Sequence, residues 1–244
     1  MNALHIVMKK IVILGFSILF ILSGCKTETR KQKDTVILQN KNFVLKGHLN
    51  SYLSKKVFLN KIIEQTICPI DSSFIENNEF VFYGSVEYPE RFALSFENYS
   101  ATIILILENT NFNIEIDANQ LNEAAVTGSE LNSLLNEYKQ ASKEIFKKIE
   151  YLYPHFQKAR LENDVEKLKK IGLDMKNIED VFTNFSYGFI KENANSYVAA
   201  MILRDQLKTS TVDTARITQM YHLLSNKVKN APDAQIISTT LNLH

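Results

Sequence analysis

Residues 111–138, NFNIEIDANQLNEAAVTGSELNSLLNEY, decide the fold, because the hydrophobic period changes inside them. Phe112, Ile114 and Ile116 alternate with Asn113, Glu115 and Asp117, a spacing of two that puts one face of a strand in a core and the other in water. After Gly128, apolar residues return at intervals of three and four: Leu131, Leu134, Leu135 and Tyr138. That spacing lines one face of a helix, and Ser129 stands where its N-cap belongs.

Upstream of the switch, "FVLKGHL", "KVFLNKI", "EFVFYGSV", "RFALSFE" and "TIILILE" are short runs rich in Val, Ile, Leu and Phe at roughly even spacing, with no helical pattern between them. Strands that follow one another in this way pair antiparallel and close into a sandwich or half-barrel. "TIILILE" is apolar on both faces and is expected in the middle of a sheet. Glu76-Asn77-Asn78-Glu79 reads as a hairpin turn with asparagine at positive φ, and Pro89 as a break between strands.

Downstream, the helical spacing continues through Ile145, Ile149 and Leu152, and Pro154 is expected to kink or interrupt it. A second pattern runs from Val165 through Leu168, Ile171, Met175 and Ile178 to Phe189, which predicts an antiparallel helical hairpin joined near Asn163. "NANSYVAAMILRDQL" predicts a third helix capped by Asn195 or Ser196. Thr211 to Leu224 and Asp233 to Leu241 predict two shorter ones. The expected fold class is therefore α+β: an antiparallel β-sandwich-like domain over 42–128, then an α-helical domain over 129–244 built from a hairpin and short helices.

The 244 residues are 45% apolar and 23% charged, enough for a substantial core. Lys and Arg number 28 against 27 Asp and Glu, so no large field exists for a phosphate backbone, and nucleic acid is not an expected partner. Seven glycines leave little material for a nucleotide-cradling loop, and neither a GxGxxG nor a GxxxxGK motif occurs. The histidines lie far apart without HExxH spacing and the two cysteines form no CxxC, so no metal or cofactor is expected. The serine of "TGSEL" lacks the second glycine of a nucleophile elbow, and Ser129 is better explained as a helix cap. Glu115/Asp117 and Glu179/Asp180 fall on wet faces, not across a cleft. Phe182, Phe185, Tyr187 and Phe189 follow core spacing. No catalytic residue is assigned, and an enzyme is not expected.

Residues 1–24 read as a processing signal. Lys9 and Lys10 precede an apolar run from Ile11 to Leu22 that is too short for an upright bilayer span of roughly 20 residues. Met8 is the expected start of translation. The run ends Leu22-Ser23-Gly24-Cys25, which resembles the lipobox of bacterial lipoproteins. That resemblance implies cleavage before Cys25 and alkylation of its thiol by diacylglycerol, hence attachment to a membrane of the cell envelope, inner or outer. Residues 25–41 then form a polar tether. A lipidated Cys25 cannot pair with Cys68, which is left as a lone thiol, expected to be buried and inert.

Further motifs carry a second likeness. Asp71-Ser72, Phe80-Val81-Phe82-Tyr83-Gly84, Pro89, Glu108 and Thr127-Gly128-Ser129 resemble the pattern of the N-terminal domain of unknown function in TlpA/ResA-type thiol-disulfide oxidoreductase lipoproteins. "FIKENANSYVAAMIL" is similar to the helical linker of those proteins, with Ala194 where proline is usual. In that family a thioredoxin domain with a CxxC pair follows the linker. No CxxC is present here, so the resemblance carries disulfide chemistry to no residue of this sequence, and Asp71, Ser72 and Glu108 read as turn and strand-end residues. The expectation is a non-catalytic envelope lipoprotein that binds a protein partner or a second copy of itself. A truncated or trans-completed oxidoreductase subunit and a glycan- or small-molecule-binding lipoprotein are the alternatives.

Overall fold

A computed structural model describes residues 42–63, 66–209 and 212–243. The signal segment, Met8, Lys9, Lys10, the lipobox cysteine Cys25 and the tether all lie outside the described residues, as does Thr211.

Eight strands form two four-stranded sheets. In chain order they are β1 (Phe43–Leu49), β2 (Lys56–Ile63), β3 (Thr66–Phe74), β4 (Glu79–Gly84), β5 (Glu90–Phe96), β6 (Thr102–Leu107), β7 (Asn111–Ile116) and β8 (Ala125–Thr127). The first sheet has the order β4-β1-β7-β8 and the second β3-β2-β5-β6. Their inner faces meet in one core in which Leu45, Phe82, Leu94, Leu105, Phe112 and Ile114 are all but completely buried. The period-two reading of 111–117 is borne out: β7 alternates exposed and buried along its whole length. One pairing departs from the antiparallel expectation, since β1 and β7 run parallel. The chain visits the second sheet for β5 and β6 before it returns, and such a crossover is what a parallel pair requires.

The turn at Glu76–Glu79 has the predicted two-residue form, closed by a single bridge, though the strands it joins, β3 and β4, lie in different sheets. Asn77 and Asn78 stand at φ 52° and 65°, and Glu76 and Glu79 exchange backbone hydrogen bonds of 3.0 and 2.9 Å. Those signs of φ match the twist of the flanking strands. Within the β1–β4 pair, Gly47 lies opposite Phe80, whose ring covers it. A Cβ on Gly47 would sit 2.0 Å from the Phe80 ring, inside a ring that is itself 96% shielded (4% exposed). Gly47→Ala is therefore expected to cost about 1–3 kcal/mol as overpacking, read as a lower urea midpoint with an unchanged slope.

Strand β3 was not foreseen. It pairs with β2 alone in its sheet, carries Pro69, and faces a register irregularity at Leu59/Asn60. An edge strand tolerates a proline because one row of its backbone groups needs no ladder partner, and bulge and proline together discourage further pairing. A second correction concerns β6, expected in mid-sheet, which is an edge strand in hydrogen-bonding order. Its apolar character on both faces has another cause: Leu105 and Leu107 face the sandwich core, while Ile106 packs into a helical core with Tyr187 and Met201.

The helices are α1 (Glu130–Leu161), α2 (Val165–Glu192), α3 (Tyr197–Asp205), α4 (Thr214–Leu223), α5 (Asn226–Lys229) and α6 (Pro232–Leu241). Ser129, Asp164 and Ser196 cap the first three, each accepting a backbone N–H with its side chain. The hairpin joins at Asn163, at φ 53°. Pro154 does not interrupt α1, which runs unbroken to Leu161. Both Pro154 and Glu150 are exposed, so the carbonyl that loses its helical donor faces water. Helix α3 is the hub of the helical layer: every residue from Tyr197 to Leu203 is buried among α2, α4, α5 and α6. Among the described residues no helix is long and apolar enough to cross a membrane.

Candidate functional site

The two sheets differ in what covers them. The outer face of the second sheet meets the helices through Ile106, whereas that of the first bears Lys46, His48, Asn113 and Glu115 as exposed residues. Strand period alone sets this row, because each is one step from a core residue in β1 or β7. His48 and Glu115 are direct register partners, and Nδ1 of the imidazole lies 2.7 Å from Oε2 of the carboxylate. The β3–β4 turn rises beside this row and brings Phe74, Glu76 and Asn77 to its rim. Between rim and row lies a groove of about 780 Å³, whose walls also include Glu79 and Val81. Phe74 is 68% exposed, and Lys56 Nζ stands 5.6 Å from its ring centroid and 5.2 Å from that of Phe58.

Carboxylates lead the groove, at Glu76, Glu79 and Glu115 against Lys46 and His48, with the amides of Asn77 and Asn113 and the hydroxyls of Ser73 and Tyr83 able both to donate and to accept. Such a set can hold a polyhydroxylated or weakly cationic ligand by hydrogen bonds, with the Phe74 ring as an apolar shelf. Its serine and histidine do not form a nucleophile–base pair. The hydroxyl of Ser73 donates to the Phe74 carbonyl (3.3 Å) instead of meeting His48, and the His48–Glu115 pair is open to solvent. Among the described residues no three His, Cys, Asp or Glu side chains gather as metal ligands do.

Residues singled out in the sequence fall elsewhere. Asp71 and Ser72 lie inside β3, not at a turn, where the Ser72 N–H donates to Asp71 Oδ1 (2.7 Å). Cys68 is half-exposed on the same strand, a correction to the buried thiol expected, because an edge strand has only one neighbour to shield it. Phe182, Phe185 and Phe189 form the hairpin seam around Tyr138, whose ring lies 5.5 Å from Phe185 at an interplanar angle of 13°. Burial holds the Tyr138 hydroxyl above its ordinary pKa, and burial pushes the neighbouring Lys139 ammonium below its own.

Glu108 and Ser129, distant in sequence, do meet, in a clasp between sandwich and helix. Ser129 Oγ donates to Glu108 Oε1 and accepts from the Asn132 backbone N–H (3.1 Å) and from Asn132 Nδ2 (2.8 Å). The Asn132 amide then faces β6 as another strand would. Its Oδ1 accepts the Ile106 N–H and its Nδ2 donates to the Ile106 carbonyl, both at 2.8 Å. One step along the edge, Lys139 Nζ donates to the Ile104 carbonyl (3.1 Å). Gly128, at φ +83° and with only 3.0 Å between an added Cβ and the Asn111 carbonyl, lets the chain turn into this cap.

A second tie, missed in the sequence, fixes β5 to the helices. The Arg91 guanidinium binds Asp205 in bidentate fashion (2.6 and 2.9 Å) and reaches the Met201 carbonyl (3.3 Å). Arg204 holds Asp233 at 2.7 Å beside it. Burial opposes the Arg91 charge, but the hydrogen bond and the fields of Asp205 and Asp233 outweigh it and raise its pKa.

These features define a class, a β-sandwich with one sheet clasped to a helical layer and the other left open by the described residues. Residues 43–135 of the chain match a family described as Domain of unknown function (DUF4369). The matched segment runs past Asn132, so it takes in the sandwich together with the turn of α1 that closes the β6 edge. No curated protein matches the chain, and no solved structure does.

Proposed function

We propose that this chain is a non-catalytic lipoprotein of the bacterial cell envelope, tethered by lipid at Cys25, whose sandwich serves as a binding module. The observation that carries the reading is the unequal use of the two sheets: one outer face is tied to helices, while the other keeps an open, acceptor-rich groove of about 780 Å³ beside an exposed Phe74. The likeness of Asp71-Ser72, Phe80–Gly84 and Thr127-Gly128-Ser129 to TlpA/ResA-type lipoproteins supports an envelope setting. A thioredoxin-like envelope protein is one partner of fitting origin. The balance of carboxylates and amides in the groove favours a neutral, polyhydroxylated ligand as a second reading.

Mass spectrometry of the protein from envelope membranes tests the anchor. An N-terminal peptide beginning at Cys25 with a diacylglycerol adduct is expected, and an unmodified Cys25 overturns the lipoprotein reading. Thermal melts with soluble peptidoglycan fragments and neutral oligosaccharides test the groove. Ligand at about 100 times its Kd stabilises by about 2.7 kcal/mol, a shift of several degrees. Phe74→Ala, at an exposed position, should abolish that shift without lowering the melting point of the free protein. A shift that survives Phe74→Ala removes the groove as the site, and no shift with any of these sugars removes the glycan reading.

A further inference from the structure

Among the described residues the distal half of the helical hairpin is a layer only two helices thick. From Ile145 to Phe185, where every residue is described, Ala159 and Ile171 are the buried positions. Ile149, Leu152, Leu168, Met175 and Ile178 have core spacing yet are only half-buried, and Tyr151 is 71% exposed. Two helices can shield one seam between them, but a stripe more than about 100° wide on each needs a further layer. On one side the stripe opens into a groove of about 460 Å³ floored by Tyr151, Leu152 and Ile178. Lys147 and Lys148 of α1 form one wall and Asp174 and Asn177 of α2 the other. Lys147 is engaged with Glu144 at 2.6 Å, whereas neither Lys148 nor Asp174 has an ion-pair partner among the described residues.

We infer that this face docks on the same face of a second copy, so that two hairpins form a four-helix bundle with their tips pointing the same way. Charge selects the occupant and the orientation. A two-fold axis along the hairpins lays α1 of one copy on α2 of the other and sets each Lys148 opposite the second copy's Asp174. The other face-to-face two-fold stacks α1 on α1 and brings the lysines together. Area permits it: Ile145 to Leu161 spans about 25 Å and two helices about 20 Å across, so some 500 Å² per copy is covered. The pair then reaches about 1,000 Å², the lower bound for a specific interface, and its affinity should be about micromolar. This surface is separate from the sheet groove, so failure of either reading leaves the other standing.

Sedimentation velocity of the full chain in a mild non-ionic detergent, at concentrations up to the order of 100 µM, should give a dimer. Tyr151→Glu, at an exposed position, should leave a monomer with an unchanged circular dichroism spectrum. Lys148→Asp should weaken the dimer at least about tenfold, and adding Asp174→Lys should restore it. In a Cys25→Ser, Cys68→Ser background, Glu162→Cys at the hairpin tip should form a cross-linked dimer with a short bis-maleimide, which the cysteine-free parent should not. A monomer throughout, or a dimer that survives Tyr151→Glu, overturns the interface. Failure of the charge swap to restore the dimer, or of the tips to cross-link, overturns the parallel arrangement.

Discussion

Asn132→Leu is expected to lower the free energy of unfolding by about 2–5 kcal/mol, the largest loss foreseen for a single side chain of this protein. Leucine is close to asparagine in size and favours the helix more, so any loss of stability comes from the missing amide. With the amide gone, the Ile106 N–H and carbonyl, each held at 2.8 Å, lose the partner that the helix side gives them. Ile106 is fully buried, so water cannot replace it, and each orphaned backbone group costs about 1–3 kcal/mol. Ser129 loses a donor as well. Urea denaturation should give a lower midpoint at constant slope, and amide exchange at Ile106 should accelerate ahead of exchange in β1 and β7. Asn132→Asp separates geometry from charge, because it keeps an acceptor for the Ile106 N–H but sets a carboxylate against the Ile106 carbonyl and Glu108. It should be at least as damaging as leucine. A loss under about 1 kcal/mol for both variants would mean that α1 merely lies against the edge.

The clasp also marks where sequence reading succeeds and where it stops. The switch of period at Gly128, the asparagine turn at 77–78 and the caps at Ser129 and Ser196 are local devices, written within a few residues of where they act. The strands that bury one face were legible for the same reason. Strand β3 was not, because an edge strand with Pro69, a bulge at Ile70 and most side chains in water buries too little to impose a period. The apolar faces of "TIILILE" were read correctly as covered on both sides, but hydropathy does not distinguish cover by a strand from cover by a helix. Of the two outcomes expected at Pro154, interruption does not occur, since an exposed helix face can hydrate the carbonyl that proline leaves free. The groove draws on β1, β4, β7 and the β3–β4 turn, and only the fold brings His48 to Glu115 across 67 positions. Arg91 did leave a trace, a charge in the apolar run "ERFALSF", but its partner lies 114 residues further on.

Arg91→Met is the second large effect, expected at about 2–3 kcal/mol. Methionine replaces the apolar stem, so the change removes the two contacts to Asp205, the one to the Met201 carbonyl, and a longer-range partner for Asp233 at 3.9 Å. A fully enclosed ion pair broken on one side costs about 3–5 kcal/mol, but Asp205 is 42% exposed and can recover water. Asp233, only 9% exposed, keeps Arg204 at 2.7 Å, so it is not stranded. Both facts place the cost below the fully buried case. Asp205→Leu should cost less than Arg91→Met, because the arginine it leaves still has Asp233 and a carbonyl within reach. Combining the two should cost less than their sum, with a coupling of about 1–2 kcal/mol measured by a double-mutant cycle in urea. The coupling should survive 1 M salt, since the Arg91 end is only 23% exposed and ions screen such a pair poorly. A coupling near zero, or one erased by salt, would reduce the pair to surface decoration and leave Asn132 and the apolar contacts of Ile106 to hold the second sheet to the helices.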